Sequence, residues 1–317
     1  MSQHVFVGVD IGGTTVKMGI CSEDGRMLHF NEAPTGVQDG PHAALNRISG
    51  EIRRFVADQA YDWSGVAGVG VGIAGFTDIP NGIIISSPNF PGWNHVPVKA
   101  IFEQTLAVPV KINNDANVAA LGEGLWGAGR GMDNIVLYTL GTGIGGGILI
   151  RGSIYEGFNG MAGELGHVQV VPDMEAIQCG CGQYGCVETV ASATGIRRMA
   201  RDAVARGDRT TLAGLEDITA KHVFEAARSG DEAAMRIVKR AAFYLGKAMA
   251  ATAVILNPQR FVVGGGVSQS GDLLIEETRT AFQRFTPEAL RTNVDIVAAE
   301  LGNHAGIVGA AGLHLRP

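Results

Sequence analysis

Residues 5–11 (VFVGVDI) form a short apolar, β-branched run ending in Gly12-Gly13. Residues 16–21 (VKMGIC) follow as a second such run before Asp24-Gly25, a dipeptide suited to a hairpin turn. The period then lengthens, and residues 41–58 read as an amphipathic helix. Residues 66–73 (VAGVGVGI) and 108–112 (VPVKI) are apolar enough for buried strands, and a helix is expected from near Asp115 through Ala119, Ala120 and Leu121 to Trp126. There the pattern restarts: 135–140 (IVLYTL) is a strand, Gly141-Thr142-Gly143 turns it, and 147–151 returns it. At an offset of 129 residues, Asp10-Ile11-Gly12 falls on Thr139-Leu140-Gly141. This single internal repeat predicts two related α/β domains with both glycine turns facing one cleft.

The second half is more helical, over roughly 190–206, 219–229 and 231–256, the last ending before Asn257-Pro258 because proline disfavours helix in the residue before it. A strand at 260–264 runs into Gly264-Gly265-Gly266, a helix is expected from about Asp272, and a final one over about 304–315.

Composition narrows the function classes. With 46% hydrophobic and 18% charged residues in 317, the chain can bury a large core and is not disordered. The balance of 25 Lys+Arg against 31 Asp+Glu, net −6, argues against a nucleic-acid surface. No apolar run approaches the roughly 18 residues of a membrane span. The start, MSQHVFVGVDIGG, lacks a basic leader segment, so a cytoplasmic location is expected.

Three glycine turns each follow a strand: Gly12-Gly13-Thr14-Thr15, Gly141-Thr142-Gly143 and Gly264-Gly265-Gly266. They read either as plain tight turns or as cradles in which backbone N–H groups and Thr hydroxyls meet phosphate oxygens, with Asp10 and Lys17 alongside. The dinucleotide pattern G-x-G-x-x-G occurs at Gly141/Gly143/Gly146 and Gly70/Gly72/Gly75, but neither copy opens a helix, so a nicotinamide site is rejected. No P-loop pattern is present. Phosphate turns in two repeated domains are the actin/hexokinase type of site. In Asn113-Asn114-Asp115-Ala116-Asn117, Asp115 reads as a helix N-cap or as a general base. Gly163-Glu164-Leu165-Gly166-His167 precedes Cys179-x-Cys181-x4-Cys186 and Glu188. One His and three thiolates make a closed tetrahedral set for structural zinc, whereas Cys21, on a strand, reads as a small buried residue.

Together DIGGTTVK, NNDAN, LGTGIGGG, GELGH and CGCGQYGCVE resemble, in order and spacing and over the whole chain, the ROK family of sugar kinases and repressors. Within it, Pro88-Asn89-Phe90-Pro91-Gly92-Trp93 is similar to a segment of the bacterial ATP-dependent glucokinases. The resemblance implies an α/β fold of two duplicated actin/hexokinase-like (ribonuclease H-like) domains around a central cleft. The expected bounds are 1–117 for the smaller domain, with a helix at about 304–317 crossing back. The larger domain, 118–303, would carry the zinc loop and the nucleotide and dimer surfaces.

The implied reaction is ATP-dependent phosphorylation of a hexose at O6, D-glucose first, with N-acetylmannosamine or N-acetylglucosamine as the alternative. The resemblance makes Asp115 the base. Gly75, Asn89, Asn114, Glu164, His167 and Glu188 would hold the sugar. Asp10, Gly12, Gly13, Thr14, Thr15, Lys17 and the turns at 141–143 and 264–266 would hold ATP and Mg2+, with zinc on His167, Cys179, Cys181 and Cys186. A homodimer or homotetramer is the implied assembly. A DNA-binding repressor is not expected, because only four residues precede Val5. An actin-like structural protein needs no Glu164, His167 and Glu188, and a polyphosphate-dependent glucokinase typically lacks the cysteine cluster.

Overall fold

The computed structural model describes residues 4–87, 89–267 and 272–315. Pro88 of the PNFPGW segment therefore lies outside the described residues. By their internal contacts the residues fall into two compact units, Met1–Asp133 with Gly147–Gly163 and Glu300–Pro317, and Asn134–Gly146 with Glu164–Ala299.

The first unit is built on a sheet of order β3-β2-β1-β4-β7. Its strands are β1 (Val5–Ile11), β2 (Thr15–Ser22), β3 (Met27–Pro34), β4 (Val66–Ile73) and β7 (Val110–Asn114). β1, β2 and β3 meander antiparallel, while β4 runs parallel to both β1 and β7. β4 is buried along almost its whole length, as expected for an apolar parallel strand covered on both faces. β3 has an alternating, half-exposed pattern, which is why its apolar signal in the sequence is faint. β7 starts and ends two residues later than its apolar run suggests. Its ladder with β4 continues through the polar pairs Gly72–Asn113 and Ile73–Asn114. A small hairpin of β5 (Phe76–Asp78) and β6 (Ile83–Ser86) stands apart.

Helix α1 (Pro41–Asp58) starts with proline in its first turn and buries Leu45, Ile48, Ile52 and Phe55 at helical spacing. It packs with α2 (Val98–Leu106). Helix α3 (Asp115–Trp126) packs along α10 (Ala305–Gly312), whose Ala and Gly surface also meets β1 and β4. A fully buried carboxylate ties α3 to the turn after it and to the segment that leads to α10: Glu123 accepts the N–H groups of Ala128 (2.8 Å), Glu300 (3.1 Å) and Leu301 (2.8 Å).

The second sheet repeats the order of the first, as β10-β9-β8-β11-β12. The strands are β8 (Ile135–Leu140), β9 (Ile144–Ile150), β10 (Ser153–Ile154), β11 (Arg260–Gly264) and β12 (Asp295–Ala298). β11 is parallel to β8 and β12, and β10 is antiparallel to β9. β1 and β8 thus hold equivalent places, and the repeat seen at an offset of 129 residues is a repeat of topology. This is the actin/hexokinase type of α/β fold.

Helices α4 (Glu188–Ala191), α5 (Ala193–Ala205), α6 (Ala220–Arg228), α7 (Glu232–Leu256), α8 (Asp272–Phe285) and α9 (Glu288–Arg291) complete the second unit. The helix expected over 190–206 is interrupted at Ser192, whose extended backbone and side-chain bond to the Gly195 N–H begin a new one. α7 stops at Asn257, which takes a left-handed conformation before Pro258. Among the described residues no helix is long and apolar enough to cross a membrane.

Candidate active site

In the first unit, Asp10 lies near the end of β1, across the ladder from Lys17 on one side and Gly72 on the other. The turn that follows is held by Gly12 N–H donating to the Thr15 carbonyl (3.0 Å) and by Thr35, which bonds Gly12 and Thr14. A Cβ on Gly13 would stand 3.0 Å from the Asn89 carbonyl, so the loop carrying Asn89 lies directly on this turn. Buried Phe90 and Trp93, stacked 4.9 Å apart, anchor that loop and leave Asn89 exposed.

The same unit presents Asn114 and Asp115. Asn114 is the helix N-cap: its side-chain oxygen accepts from Ala116 N–H (2.9 Å) and Asn117 N–H (3.4 Å). Its side-chain NH2 donates to the Gly75 carbonyl (3.3 Å), which brings two candidate sugar-binding residues together. The capping role open to Asp115 in the sequence therefore belongs to its neighbour, and Asp115 occupies the first helical position. Burial pushes the Asp115 carboxyl above its ordinary range, against the opposing N–H groups of Ala116 and of Asp115 itself. Burial also pushes Asp10 up to about 6, helped by the charge of Asp115 and opposed by Lys17. The two carboxylates thus lie within electrostatic reach of each other, each disfavoured in its charged form by burial.

In the second unit, Glu188 begins α4 and reaches the glycine turn after β8. Its Oε2 accepts Ile144 N–H at 2.7 Å and takes the space a Cβ on Gly143 would need. The turn is closed by Gly141 N–H donating to the Gly143 carbonyl (2.9 Å), and Thr142 is exposed. His167 sits in a short 3-10 turn with its Nε2 3.8 Å from Glu164 Oε2 and its Nδ1 3.7 Å from Cys179 Sγ. The ring thus offers one nitrogen to the thiols and the other to the carboxylate. Cys181 Sγ is 3.7 Å from Cys186 Sγ, and the donor atoms of His167, Cys179, Cys181 and Cys186 all lie within 4.8 Å of one another. Around a zinc with Zn–S of about 2.3 Å, tetrahedral edges are about 3.7 Å, so these four donors fit that ion. Cys21 is buried in β2 of the first unit and is not one of these four donors. The third turn also belongs to this unit. Gly264 ends β11 beside Thr139, and Gly265 and Gly266 follow exposed.

The profile of the ROK family matches residues 6–316. The chain belongs to the ROK family. A glucokinase of Halalkalibacterium halodurans is 42% identical over 99% of this chain and 96% of its own, and one of Thermotoga maritima is 40% identical over 99% and 98%. A ROK glucokinase of Streptomyces griseus, solved in complex with glucose and AMPPNP, is 38% identical with a TM-score of 0.79, covering 98% of each chain.

As a ROK protein the chain offers a clean test of its second glycine turn. A Cβ on Gly141 would meet nothing within 4 Å. Gly141→Val should therefore fold and melt like the parent, and if the turn cradles phosphate, as the resemblance implies, the new side chain would stand in the way of its N–H groups. The expected outcome is a KM for ATP raised at least about tenfold, or lost activity, with glucose binding by calorimetry intact. Equal loss of both ligands would contradict a phosphate-binding role for this turn.

Sequence reasoning passed over the groups behind Asp115. Buried Asn113 donates from its side-chain NH2 to Glu156 Oε1 at 2.7 Å and accepts from the Asn117 side chain at 2.9 Å. Glu156 lies 43 residues from Asn113 in a glycine-rich loop without periodicity, and nothing local in the sequence pairs the two.

Proposed function

We propose that this protein transfers the γ-phosphoryl group of ATP to O6 of D-glucose, with Asp115 as general base. The observation that carries this reading is the placement of Asp115 at the head of α3, uncoupled from capping, in a chain 42% identical over near its full length to a glucokinase. Phosphoryl transfer needs positioned reactants and neutralised charge more than covalent help from the protein. Asp115 takes the proton of the 6-hydroxyl as that oxygen attacks, and burial has already made it a better base than an exposed carboxylate. Asn114, Gly75 and Asn89 hold the sugar on the first unit, while Glu164 and Glu188 accept from its other hydroxyls and His167, with Nδ1 turned to the thiols, donates from its Nε2–H.

Asp10, Gly12, Gly13, Thr14, Thr15 and Lys17 meet the phosphates on one side, and Gly141, Thr142 and Gly143 on the other, with Gly264, Gly265 and Gly266 by the nucleotide. Asp10 is the residue that would hold Mg2+, which when bound supplies positive charge against the phosphates. His167, Cys179, Cys181 and Cys186 would hold a structural zinc, which fixes the sugar-side faces of His167 and Glu188.

Sugar choice is tested with a panel of hexoses. A buried polar site that pairs with a substrate hydroxyl discriminates strongly against an analogue that alters it. The expected kcat/KM for glucose exceeds that for N-acetylmannosamine or N-acetylglucosamine by at least about a hundredfold, equivalent to ~2.7 kcal/mol. Faster turnover of either acetamido sugar would leave a kinase with a different substrate.

A further inference from the structure

We infer that Glu156 is a positioning residue for phosphoryl transfer, acting through Asn113 to hold the Asn114–Asp115 peptide in place. The inference rests on the reading of Asp115 as base. The backbone N–H of Asn114 can only donate, and it lies 2.8 Å from the side chain of Asn113, so the atom facing it is the Asn113 oxygen. The same oxygen accepts from Asn117 Nδ2 at 2.9 Å. Asn113 must then turn its NH2 the other way, where Glu156 Oε1 stands at 2.7 Å. Asn113 and Asn117 are each 1% exposed, so solvent offers Asn113 little replacement partner.

The chain of bonds is directional. Glu156 orients Asn113, Asn113 fixes the Asn114 N–H, and Asn114 caps α3 immediately before Asp115. Glu156 is itself held. Its carbonyl accepts Ala162 N–H at 3.1 Å, closing the loop 156–162, and within that loop a Cβ on Gly160 would stand 2.7 Å from the Thr77 carbonyl of β5. Without the Glu156 oxygen, Asn113 has a buried donor to satisfy. Rotating to satisfy it releases Asn114 N–H and lets the first turn of α3 shift. A displacement of about 1 Å at a reacting group costs about 10²-fold in rate.

The test compares wild type, Glu156→Ala, Glu156→Gln, Asp115→Asn and the double variant Asp115→Asn/Glu156→Ala. Each is followed by steady-state kinetics, glucose calorimetry and thermal melting. Glutamine still offers an oxygen to Asn113. The expected result is kcat lowered about 10²-fold in Glu156→Ala. Glucose affinity should stay unchanged within about threefold, and Glu156→Gln should lie within about threefold of wild type. Because Glu156 acts only through Asp115, adding Glu156→Ala to Asp115→Asn should lower the residual rate no further.

Wild-type kcat in Glu156→Ala, or equal damage in Glu156→Gln and Glu156→Ala, overturns the inference. A loss of glucose affinity in place of kcat overturns it too, by making Glu156 a sugar contact. Activity that merely follows a lowered melting temperature overturns it in favour of a structural role. An inactive Asp115→Asn beside a fully active Glu156→Ala removes this inference alone, whereas a fully active Asp115→Asn removes the base assignment and the inference with it.

Discussion

Asp115→Asn should bind glucose and still lose at least about 10²–10⁴ in kcat, the usual loss when a general base is removed. Asparagine matches the size of aspartate, and the cap of α3 is supplied by Asn114, so the helix start survives the change. The melting temperature should therefore hold, which separates chemistry from folding. The pH profile carries a second readout. Asp115 must be ionised to accept a proton, and burial raises its pKa. Asp10, raised to about 6, lies within its electrostatic reach. Activity should then rise with pH through a limb above the ordinary carboxylate range, with apparent values that belong to the pair. Near wild-type kcat in Asp115→Asn would show that another group takes the proton.

Cys181→Ser should remove both metal and hexose binding. The four donors of the cluster already lie within 4.8 Å of one another, so the intact protein should carry about one zinc per chain by elemental analysis. Structural zinc in small sites contributes about 10–16 kcal/mol of apparent binding energy, and folding of the loop is coupled to it. Losing one thiolate releases the loop that holds His167 and sits beside Glu188, whose Oε1 is 3.4 Å from Cys179 Sγ. The sugar-side groups then lose their fixed positions. Zinc-free protein with full activity would remove the metal from the account.

The elements that were readable from sequence share a physical property: their apolar periodicity coincides with their burial. α1 and α3 begin and end where the pattern places them, and α7 stops at its Asn-Pro boundary. β3 was not legible because a half-exposed strand has no apolar run to show. The far end of β7 was misplaced because Asn113 and Asn114 keep the ladder going with polar side chains that are satisfied by hydrogen bonds rather than by apolar packing. The zinc cluster was readable because its cysteines are close in sequence, and the structure does bring His167, Cys179, Cys181 and Cys186 together. The choice between capping and catalysis at Asp115 was open, since both readings place an acidic residue at a helix start. Only the bonds of Asn114 decide which residue caps. Glu156 had no local signal at all, because its partner is 43 residues away.

The most direct test of the central claim is ADP release by the purified protein with ATP and Mg2+, with and without glucose, while the product is identified by phosphorus NMR. The account predicts ADP release that depends on glucose and matches it one for one, with the new phosphate on O6. ADP release that is independent of glucose, or a phosphate placed on any other hydroxyl, would contradict it.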